Sequence, residues 1–396
     1  MSSHFLVLQP EIQEFIKANE GASLSQLALR KNPFSVVNWT DILAQIEGRQ
    51  KSKEKLPTWY TTKDIIYPIR ISLEQTSSEK CAAYKASIVD GYSIIDLSGG
   101  FGVDSFYFSK RFTKVIHCEI NQDLSTIACH NFKQLGAENV SCHIGDSDGI
   151  LKKLGQKFDW IFIDPSRRND SKGKVFMLKD CTPNIPALLD DYSKYSDNIL
   201  LKTAPLLDIS AGLNELKFVK KIHVVAVDNE VKELLWEISK GFNGQIEVST
   251  VNLMKDRQEK FSFVLDQQYE ATFGSVRKYI YEPNRAIMKS GGFNAIAAHL
   301  KLDKLHSNTH LYTSDEIIEF PGRLFCVDAV LAYRKTEMKA HLSKKRANVT
   351  VRNFGETVEH IRKKWRISEG GDLYCFFTTD LNESKIVLLC SKIIES

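Results

Sequence analysis

The stretch that decides the fold is Ile94-Ile95-Asp96-Leu97-Ser98-Gly99-Gly100-Phe101-Gly102-Val103-Asp104-Ser105. Its apolar start predicts a buried strand, its glycines predict a tight turn, and the residues that follow predict the beginning of a helix. An aspartate, Asp96, falls at the end of the predicted strand. This order of strand, glycine-rich turn and helix is typical of sites for nucleoside-bearing ligands at the carboxyl edge of a parallel sheet.

Short apolar runs alternate with helical stretches between residues 92 and 265. This alternation indicates a repeated strand-helix unit and a mainly parallel sheet covered by helices. The predicted strands are Ser93–Leu97, Lys114–Glu119, Val140–Ile144, Trp160–Asp164, Asn198–Lys202, Ile222–Asp228 and Phe261–Leu265. We therefore expect an α/β fold with a Rossmann-like, seven-stranded, mainly parallel sheet, an N-terminal helical region and two small C-terminal α+β domains.

The predicted organisation has four parts. Residues 1–88 form the helical region, 89–267 the domain with the parallel sheet, and 268–333 and 334–396 the two small domains. The sequence also predicts three local features. The charged run at residues 51–55 predicts a linker, residues 316–320 predict a strand, and Asn353 with Glu356 predicts the beginning of a helix through a capping box.

The composition is that of an ordinary soluble protein, and it excludes several classes. No apolar run approaches the roughly 20 residues that span a bilayer, and the first residues lack the pattern of a secretory signal. The eight cysteines form no C-x-x-C pair and no zinc-like spacing with histidines. We expect free thiols, a cytoplasmic location, no membrane partner and no metal.

Acidic residues end three further predicted strands, at Glu119, Asp146 and Asp164. A carboxylate after the second strand can accept hydrogen bonds from both ribose hydroxyls, and one after the third can accept from the adenine amine. Asp96 can attract an ammonium group. A dinucleotide fits less well, because Ser105 occupies the third glycine position and Asp96 would repel a pyrophosphate. The series predicts S-adenosylmethionine as the cofactor, whereas each acid taken alone is equally consistent with a helix N-cap.

The residues from Asp96 to Gly102 resemble the first motif of the class I S-adenosylmethionine-dependent methyltransferases, with Ser98 in place of the usual first glycine. Glu119, Asp146 and Asp164-Pro165 resemble their later motifs. Further matching motifs are Ser77-Ser78-Glu79, Tyr84-Lys85-Ala86, Ile163-Asp164-Pro165-Ser166-Arg167-Arg168, Lys202-Thr203-Ala204-Pro205 and Asn348-Val349-Thr350-Val351-Arg352-Asn353-Phe354. Together they resemble, over nearly the whole chain, a bacterial family of such methyltransferases with a ferredoxin-like domain and a C-terminal THUMP-like domain.

The resemblance implies roles for individual residues. It implies that residues 268–333 are ferredoxin-like, that residues 334–396 are a THUMP-like domain, and that the substrate is RNA. The implied cofactor-binding residues are Ser78, Lys85, Asp96, Ser98, Gly100, Gly102, Asp104, Glu119, Ile120, Asp146 and Ser147. The implied catalytic residues are Asp164, Pro165 and Arg167, where related enzymes of nucleic acids have Asp-Pro-Pro and an aromatic residue. A guanidinium plane can also stack on a base, which gives Arg167 a comparable role.

The sequence leaves alternatives open for the methylated atom and for the class of substrate. Methylation of a pyrimidine C5 requires a thiolate nucleophile, and no cysteine follows the fifth strand. Cys181 is the nearest candidate, and we expect it to be structural. An exocyclic amine or a ring nitrogen is therefore favoured over C5. Ser77 or Ser78 is equally consistent with a helix cap. The alternatives to an RNA methyltransferase are a methyltransferase for a protein or small molecule, and a non-catalytic RNA-binding adaptor.

Positive charge is concentrated near the C-terminus. Residues 331–370 contain eleven lysines and arginines and four acidic residues, whereas the net charge of the whole chain is +4. This concentration indicates an anionic partner, with nucleic acid first, and a solvated basic surface is the alternative. We expect the charges to face outward. The predicted RNA-binding residues are Arg168, Lys344, Lys345, Arg346, Arg352, Arg362 and Lys363.

Overall fold

A computed structural model describes residues 3–68, 76–167 and 177–393. By its contacts the chain divides into two compact units. The first unit comprises residues 1–220 and 234–244, and the second comprises residues 221–233 and 245–396. The four-part division made from the sequence stays a prediction beside these two units. No helix among the described residues is long and apolar enough to cross a membrane.

The first unit begins with a helical region, as predicted. After a 3-10 helix at Ser3–Leu8, the helices are α1 (Pro10–Ala18), α2 (Leu24–Ala28), α3 (Trp39–Lys55), α4 (Pro57–Thr61) and α5 (Glu79–Ser87). The predicted linker at residues 51–55 is wrong, because this segment is the last turn and a half of α3. Ser52 is fully buried there, and Lys51 pairs with Glu47 one turn earlier at 2.8 Å.

The strand-helix repeat follows the helical region. Its elements are β1 (Ser93–Asp96), α6 (Val103–Ser109), β2 (Lys114–Glu119), α7 (Gln122–Gln134), β3 (Val140–Ile144), α8 (Ser147–Leu154), β4 (Trp160–Ile163), β5 (Ser166–Arg167), β6 (Cys181–Thr182), α9 (Ile185–Tyr192), β7 (Asn198–Thr203), α10 (Ile209–Glu215), β8 (Val219–Val227), β9 (Glu230–Ser239), β10 (Glu247–Leu253) and β11 (Gln258–Val264). The predicted α/β fold with a parallel-dominated sheet is confirmed.

The strand order in the first unit is β9-β7-β4-β1-β2-β3. All neighbours in it are parallel except β9, which runs antiparallel to β7. The carboxyl ends of β1, β2, β3 and β4 therefore lie along one edge of the sheet. The helical region packs against α6 and α7 in one apolar core, which contains Trp59, Phe101 and Phe132. This packing fixes the segment on either side of the glycine turn.

The number of strands differs from the predicted seven. Within the described residues the main sheet also contains β9 and β10, which the sequence did not indicate, and the two short strands β5 and β6 form a separate sheet. β9 begins with three exposed or half-buried residues, and β10 is buried from its second residue on but interrupts its apolar residues with Ser249, Thr250 and Asn252, so neither matches the short apolar run on which the prediction relied. In the second unit β10 lies between β8, to which it is parallel, and β11, to which it is antiparallel.

The rest of the second unit is a sheet with flanking helices. Its elements are β12 (Tyr279–Pro283), α11 (Arg285–Ser290), α12 (Phe293–Leu300), β13 (Asp303–Lys304), β14 (Tyr312–Ser314), β15 (Gly322–Ala332), α13 (Lys335–His341), β16 (Asn348–Arg352), α14 (Val358–Trp365), β17 (Leu373–Thr379) and β18 (Lys385–Lys392). The strand order is β13-β14-β12-β15-β18-β17-β16. The predicted strand at residues 316–320 is wrong, because this segment is irregular.

The last helix begins later than predicted. The cap of α14 is Thr357, whose side chain accepts a hydrogen bond from the N–H of His360. The predicted capping box of Asn353 and Glu356 is therefore wrong. Asn353 has a left-handed backbone, with φ of 48°, and the Glu356 carboxylate binds Tyr333 and Lys364. β17 and β18 form an antiparallel pair near the C-terminus.

Candidate cofactor and active site

The glycine turn between β1 and α6 lies close to the neighbouring elements. Gly102 has φ of 87°, and a Cβ atom there would come within 2.5 Å of the Phe132 ring. A Cβ atom on Gly99 would come within 2.4 Å of Nε2 of His117. His117 is fully buried in β2, and burial lowers its pKa to about 4. Only glycine fits these two positions, because a side chain at Gly99 would push the turn away from β2 and one at Gly102 would push it away from α7.

Asp96 holds the turn from inside. Its side chain is 1% exposed, and Oδ1 accepts hydrogen bonds from the N–H and the hydroxyl of Ser98 at 3.0 and 3.2 Å. Oδ2 accepts from the hydroxyl of Ser105 at 2.6 Å. Burial raises the pKa of Asp96 to about 7, although these hydrogen bonds act against the shift. Both carboxylate oxygens of Asp96 therefore accept hydrogen bonds from the turn and from the beginning of α6. A direct contact between Asp96 and a cofactor stays a prediction.

Glu119 lies at the end of β2, beside the glycine turn. Its two carboxylate oxygens accept hydrogen bonds from the N–H of Gly100 at 2.9 Å and from the N–H of Asn121 at 2.8 Å. An ionised carboxylate has about four acceptor sites, so capacity remains for further donors. The next residue, Ile120, is an aliphatic side chain that is 73% exposed. An acceptor and an apolar surface therefore lie next to each other at this strand end.

Asp146 is the N-cap of α8. Its Oδ1 accepts a hydrogen bond from the N–H of Gly149 at 2.8 Å. The structure thus shows Asp146 as a helix cap, which is the role that the sequence left open as the alternative to cofactor binding. The next residue, Ser147, has its hydroxyl 3.4 Å from the hydroxyl of Tyr192. Asp146 keeps a second oxygen, so a cap and a ligand contact are compatible.

The segment before β1 forms a buried ion pair with the first turn of α6. Nζ of Lys85 lies 3.1 Å from Oδ1 of Asp104, and the Lys85 side chain is fully buried. Ser77 links the two, because its hydroxyl accepts from Lys85 at 2.9 Å and donates to Asp104 at 2.8 Å. Ser78 is the N-cap of α5, where it accepts from the N–H of Cys81 at 3.2 Å. Ser78 therefore takes the capping role that the sequence left open.

Asp164 follows β4 and pairs with a lysine that the sequence analysis did not assign to the site. Nζ of Lys202, in β7, donates to Oδ2 of Asp164 at 2.5 Å. The N–H of Asp164 donates to the hydroxyl of Ser98 at 2.7 Å, and Ser98 is also bound to Asp96. The sequence showed Lys202 only as the first residue of the motif Lys202-Thr203-Ala204-Pro205, and its nearness to Asp164 follows from the parallel pairing of β4 with β7 in the structure.

The residues after Asp164 are only partly described. Pro165 is half-buried, and β5 pairs with β6, so that Arg167 lies opposite Cys181. The side chain of Arg167 and all of Arg168 lie outside the described residues. The Cys181 side chain is 1% exposed, which agrees with the expected structural role.

The predicted RNA-binding residues divide into two groups. Lys344, Lys345, Arg346 and Lys363 are exposed. Arg352 instead donates to the buried carboxylate of Glu282 at 2.8 Å, and Arg362 lies 3.1 Å from Glu369. The side chains of these two arginines are only 24% and 21% exposed. The expectation that all the charges face outward is therefore wrong for Arg352 and Arg362, because each ion-pairs with a carboxylate.

A basic cavity of about 570 Å³ lies beside the end of α14. Its charged lining residues are Arg334, Lys335, Lys339, Lys344, Lys364 and Arg366, and its aromatic lining residues are Tyr333 and Trp365. Lys364 pairs with Glu356. Among the described residues, the other five cations have no carboxylate partner. The cavity is therefore a concentration of uncompensated positive charge within the second unit.

The glycine turn at the first strand and the acids at the next three strand ends, on one edge of a parallel sheet, define the class I methyltransferase fold. Two family models match the C-terminal part of the chain, a ferredoxin-like domain at residues 279–321 and a THUMP domain-like model at residues 322–392. The whole structure is similar to the crystal structure of a putative methyltransferase from Porphyromonas gingivalis W83. The TM-score is 0.85 and the identity 28%, and the match covers 98% of both chains.

These matches confirm the recognition made from the sequence: the chain has the architecture of an S-adenosylmethionine-dependent methyltransferase with a ferredoxin-like and a THUMP-like domain. Weaker similarities include an rRNA methylase from Streptococcus thermophilus, with a TM-score of 0.29 and 10% identity over 41% of this chain and 94% of that chain. TrmK of M. capricolum, in complex with S-adenosyl-homocysteine, has a TM-score of 0.31 and 14% identity over 45% and 71%. No curated protein matches the chain.

Proposed function

We propose that the protein is a cytoplasmic enzyme that transfers a methyl group from S-adenosylmethionine to a base of structured RNA, either tRNA or rRNA. The observation that carries the proposal is the pairing of Asp164 with Lys202 at the same sheet edge as the glycine turn and Glu119. This edge combines the acceptor groups expected for a nucleoside-bearing cofactor with a carboxylate suited to a target amine. An exocyclic amine or a ring nitrogen fits it better than a pyrimidine C5.

The residues at the sheet edge fit the proposed cofactor. Glu119 has acceptor capacity for the ribose hydroxyls, and the exposed side chain of Ile120 offers an apolar surface to the adenine. Gly100 leaves room beside the turn, because a Cβ atom there would meet only the carbonyl oxygen of Ser98, at 3.7 Å. Asp146 and Ser147 would bind the adenine edge, and the Lys85–Asp104 pair would support the methionyl end. When bound, S-adenosylmethionine supplies an electrophilic methyl group.

Asp164 would orient the target atom. Its Oδ2 is bound by Lys202, which leaves Oδ1 to accept a hydrogen bond from an amine of the base. Ser98 fixes the backbone at Asp164, so the carboxylate is held at a defined place relative to the glycine turn. Pro165 has no N–H, and its carbonyl is a further acceptor. Orientation of this kind lowers the barrier, because displacement at a methyl group requires an in-line approach.

The second unit supports RNA over the alternative substrates. The exposed lysines at positions 344, 345 and 363, with the cations of the basic cavity, form a surface on which phosphates can bind. A methyltransferase for a small molecule has no need of such a surface. The paired arginines, Arg352 and Arg362, stabilise this unit and contribute less to the proposed RNA contact.

The test combines binding and product analysis. Calorimetry should show binding of S-adenosylmethionine by the whole protein. Nucleosides of total RNA from wild-type and deletion strains should differ in one methylated base, and the purified enzyme should restore that base in deletion-strain RNA. Asp164→Ala should bind the cofactor but fail to restore the base. Labelling of protein or of small molecules, with RNA unlabelled, would move the assignment to the alternative substrates. An absence of cofactor binding would favour the non-catalytic adaptor.

A further inference from the structure

A second cavity of the second unit is distinct from the basic cavity and from the sheet edge. Its volume is about 360 Å³. It is lined by the end of β11 and the segment that follows it, by the turn before α12 with the first residues of that helix, and by Lys304, Ser307 and His310. All of these residues belong to the second unit. The size falls in the range of cavities that hold small ligands.

The cavity contains a buried lysine whose charge is not compensated. The side chain of Lys304 is 3% exposed, and its Nζ donates to Oδ1 of Asn294 at 2.8 Å and to the carbonyl oxygen of Ser307 at 3.1 Å. Both acceptors are neutral. Within the described part of the chain, no carboxylate pairs with Lys304. An ammonium group has three N–H donors, so one donor remains. Burial lowers the pKa of Lys304, as expected where no anion stabilises the charged form.

Two further features of the cavity favour an anion. The helix α12 begins at Gly292 with no side-chain cap. The N–H of Phe293 donates to the carbonyl oxygen of Gly291, and the N–H of Gly292 donates to Ser290, so the N–H groups of Asn294 and Ala295, two lining residues, are left for a ligand. On the other side, His310 stacks on Phe293 with ring centres 3.5 Å apart. Its Nδ1 is buried and has no hydrogen-bond partner. Asp266 is acidic and also lines the cavity, but it is exposed at the rim, where water screens its charge.

We propose that this cavity binds a phosphate group through Lys304, the first turn of α12 and His310. A phosphate supplies the negative charge that Lys304 lacks, and its oxygens accept hydrogen bonds from the free donors around it. The phosphate is either that of a small free molecule or the terminal phosphate of an RNA chain. The proposal does not depend on methyl transfer, because none of the residues belongs to the sheet edge that carries Glu119 and Asp164.

The test measures binding of inorganic phosphate to the whole protein by calorimetry, with sodium chloride at equal ionic strength as the reference. We expect Lys304→Met to weaken phosphate binding by about tenfold or more, as for the loss of a hydrogen bond to a charged group. The matched control is Lys278→Met, which removes an exposed lysine of the same unit that does not line the cavity. This control should bind phosphate as the wild type does.

A second variant keeps the test decisive if Lys304→Met fails to fold. Asn294→Asp keeps the size of the side chain and places a carboxylate 2.8 Å from Nζ of Lys304, so it should fold and exclude phosphate. No phosphate binding by the wild type, or equal binding by the wild type and Asn294→Asp, would overturn the proposal. An RNA oligonucleotide with a 5′-phosphate, compared with its 5′-hydroxyl form, then assigns the source. If the wild type binds the 5′-phosphate oligonucleotide more tightly than the 5′-hydroxyl form, and Asn294→Asp abolishes this difference, the ligand is an RNA end. If the wild type binds both oligonucleotides with equal affinity, the ligand is a small free phosphate.

Discussion

The carboxylate of Asp164 is positioned by two contacts, one to its side chain and one to its backbone. Lys202 holds Oδ2 at 2.5 Å, and Ser98 holds the N–H at 2.7 Å. Ser98 also binds Asp96, so the end of β4 and the glycine turn share one hydrogen-bonded residue. The serine that replaces the usual first glycine of the motif therefore has a structural reason, because its hydroxyl joins two strand ends that a glycine would leave unconnected.

At this residue scale, Lys202→Met should slow methyl transfer by about 10- to 100-fold, the range for a lost hydrogen bond to a charged group. Cofactor affinity should stay unchanged, because Lys202 contacts the proposed acceptor for the target amine and not Glu119. The measurement is a single-turnover assay on deletion-strain RNA, with calorimetry for the cofactor. The matched control is Lys194→Met, which breaks an exposed pair with Asp191. A Lys202→Met rate equal to that of the wild type would show that Asp164 does not need this partner.

Glu119 offers a direct test of the cofactor site. Glu119→Ala should weaken S-adenosylmethionine binding by about 1.5–3 kcal/mol, because it removes a charged acceptor and releases the N–H of Gly100. Glu138→Ala is the control, since it removes an exposed glutamate after α7. Calorimetry compares the two variants. An unchanged affinity in a folded Glu119→Ala protein would remove this residue from the site.

The buried Asp96 predicts a pH dependence of stability. Its pKa is raised from 3.8 to about 7, so the folded state binds the proton more tightly than the unfolded state does. Between these two values, the contribution of Asp96 to the free energy of unfolding should fall as the pH rises. Asp96→Asn should flatten the measured profile in that window. Asp90→Asn, at an exposed aspartate, should leave it as in the wild type. Parallel profiles for Asp96→Asn and the wild type would contradict the raised pKa.

At the scale of elements, the sequence predicted the strands and helices that are encoded by neighbouring residues. β2 and β3 have the predicted bounds, because each is a short segment with strand-forming apolar residues that lies between turn residues. β9 was missed, because its partner β7 is distant in sequence and its first residues are polar. The positions of Asp96, Glu119 and Asp164 were predictable from the strand ends. The roles of Lys202 and Ser98 depend on which strands are neighbours, and a single sequence does not give that order.

The beginning of α14 gives a test at the element scale. Thr357 is the observed cap, and Thr357→Ala should lower the free energy of unfolding by about 0.5–2 kcal/mol, because the N–H of His360 loses its acceptor. Thr336→Ala is the matched control, since Thr336 lies exposed in the first turn of α13 and is not its cap. Urea unfolding measures both. Equal stability of the two variants would show that the cap contributes little.

At the scale of the whole molecule, the two units carry different charges and different proposed tasks. The sheet edge of the first unit presents acidic side chains, whereas the second unit contains the basic cavity. Phosphate contacts contribute affinity without reading sequence, so the second unit would hold the RNA, and the choice of base would be made at the sheet edge. RNA affinity and cofactor affinity should therefore respond to different sets of substitutions.

This separation leads to the last prediction. Changing the exposed lysines at positions 344, 345 and 363 to glutamine should weaken RNA binding, and it should lower the slope of log affinity against log salt by about 0.7 for each lost single-strand phosphate contact. Arg352 and Arg362 stay unchanged in this variant, because the loss of Arg352 would leave the buried Glu282 with one partner fewer and destabilise the unit. Filter-binding titrations at several salt concentrations measure the slope.

The control for this variant removes the same charge from the other unit. Exposed lysines at positions 17, 31 and 157 become glutamine, which keeps the net charge of the two variants equal. If long-range attraction by the total charge dominated, both variants would lose affinity to the same extent. If phosphates bind the second unit directly, only the first variant changes its slope, and both keep the cofactor affinity of the wild type. Identical slopes in the wild type and both variants would mean that this surface does not contact RNA, and a protein or small-molecule substrate would then be the better assignment.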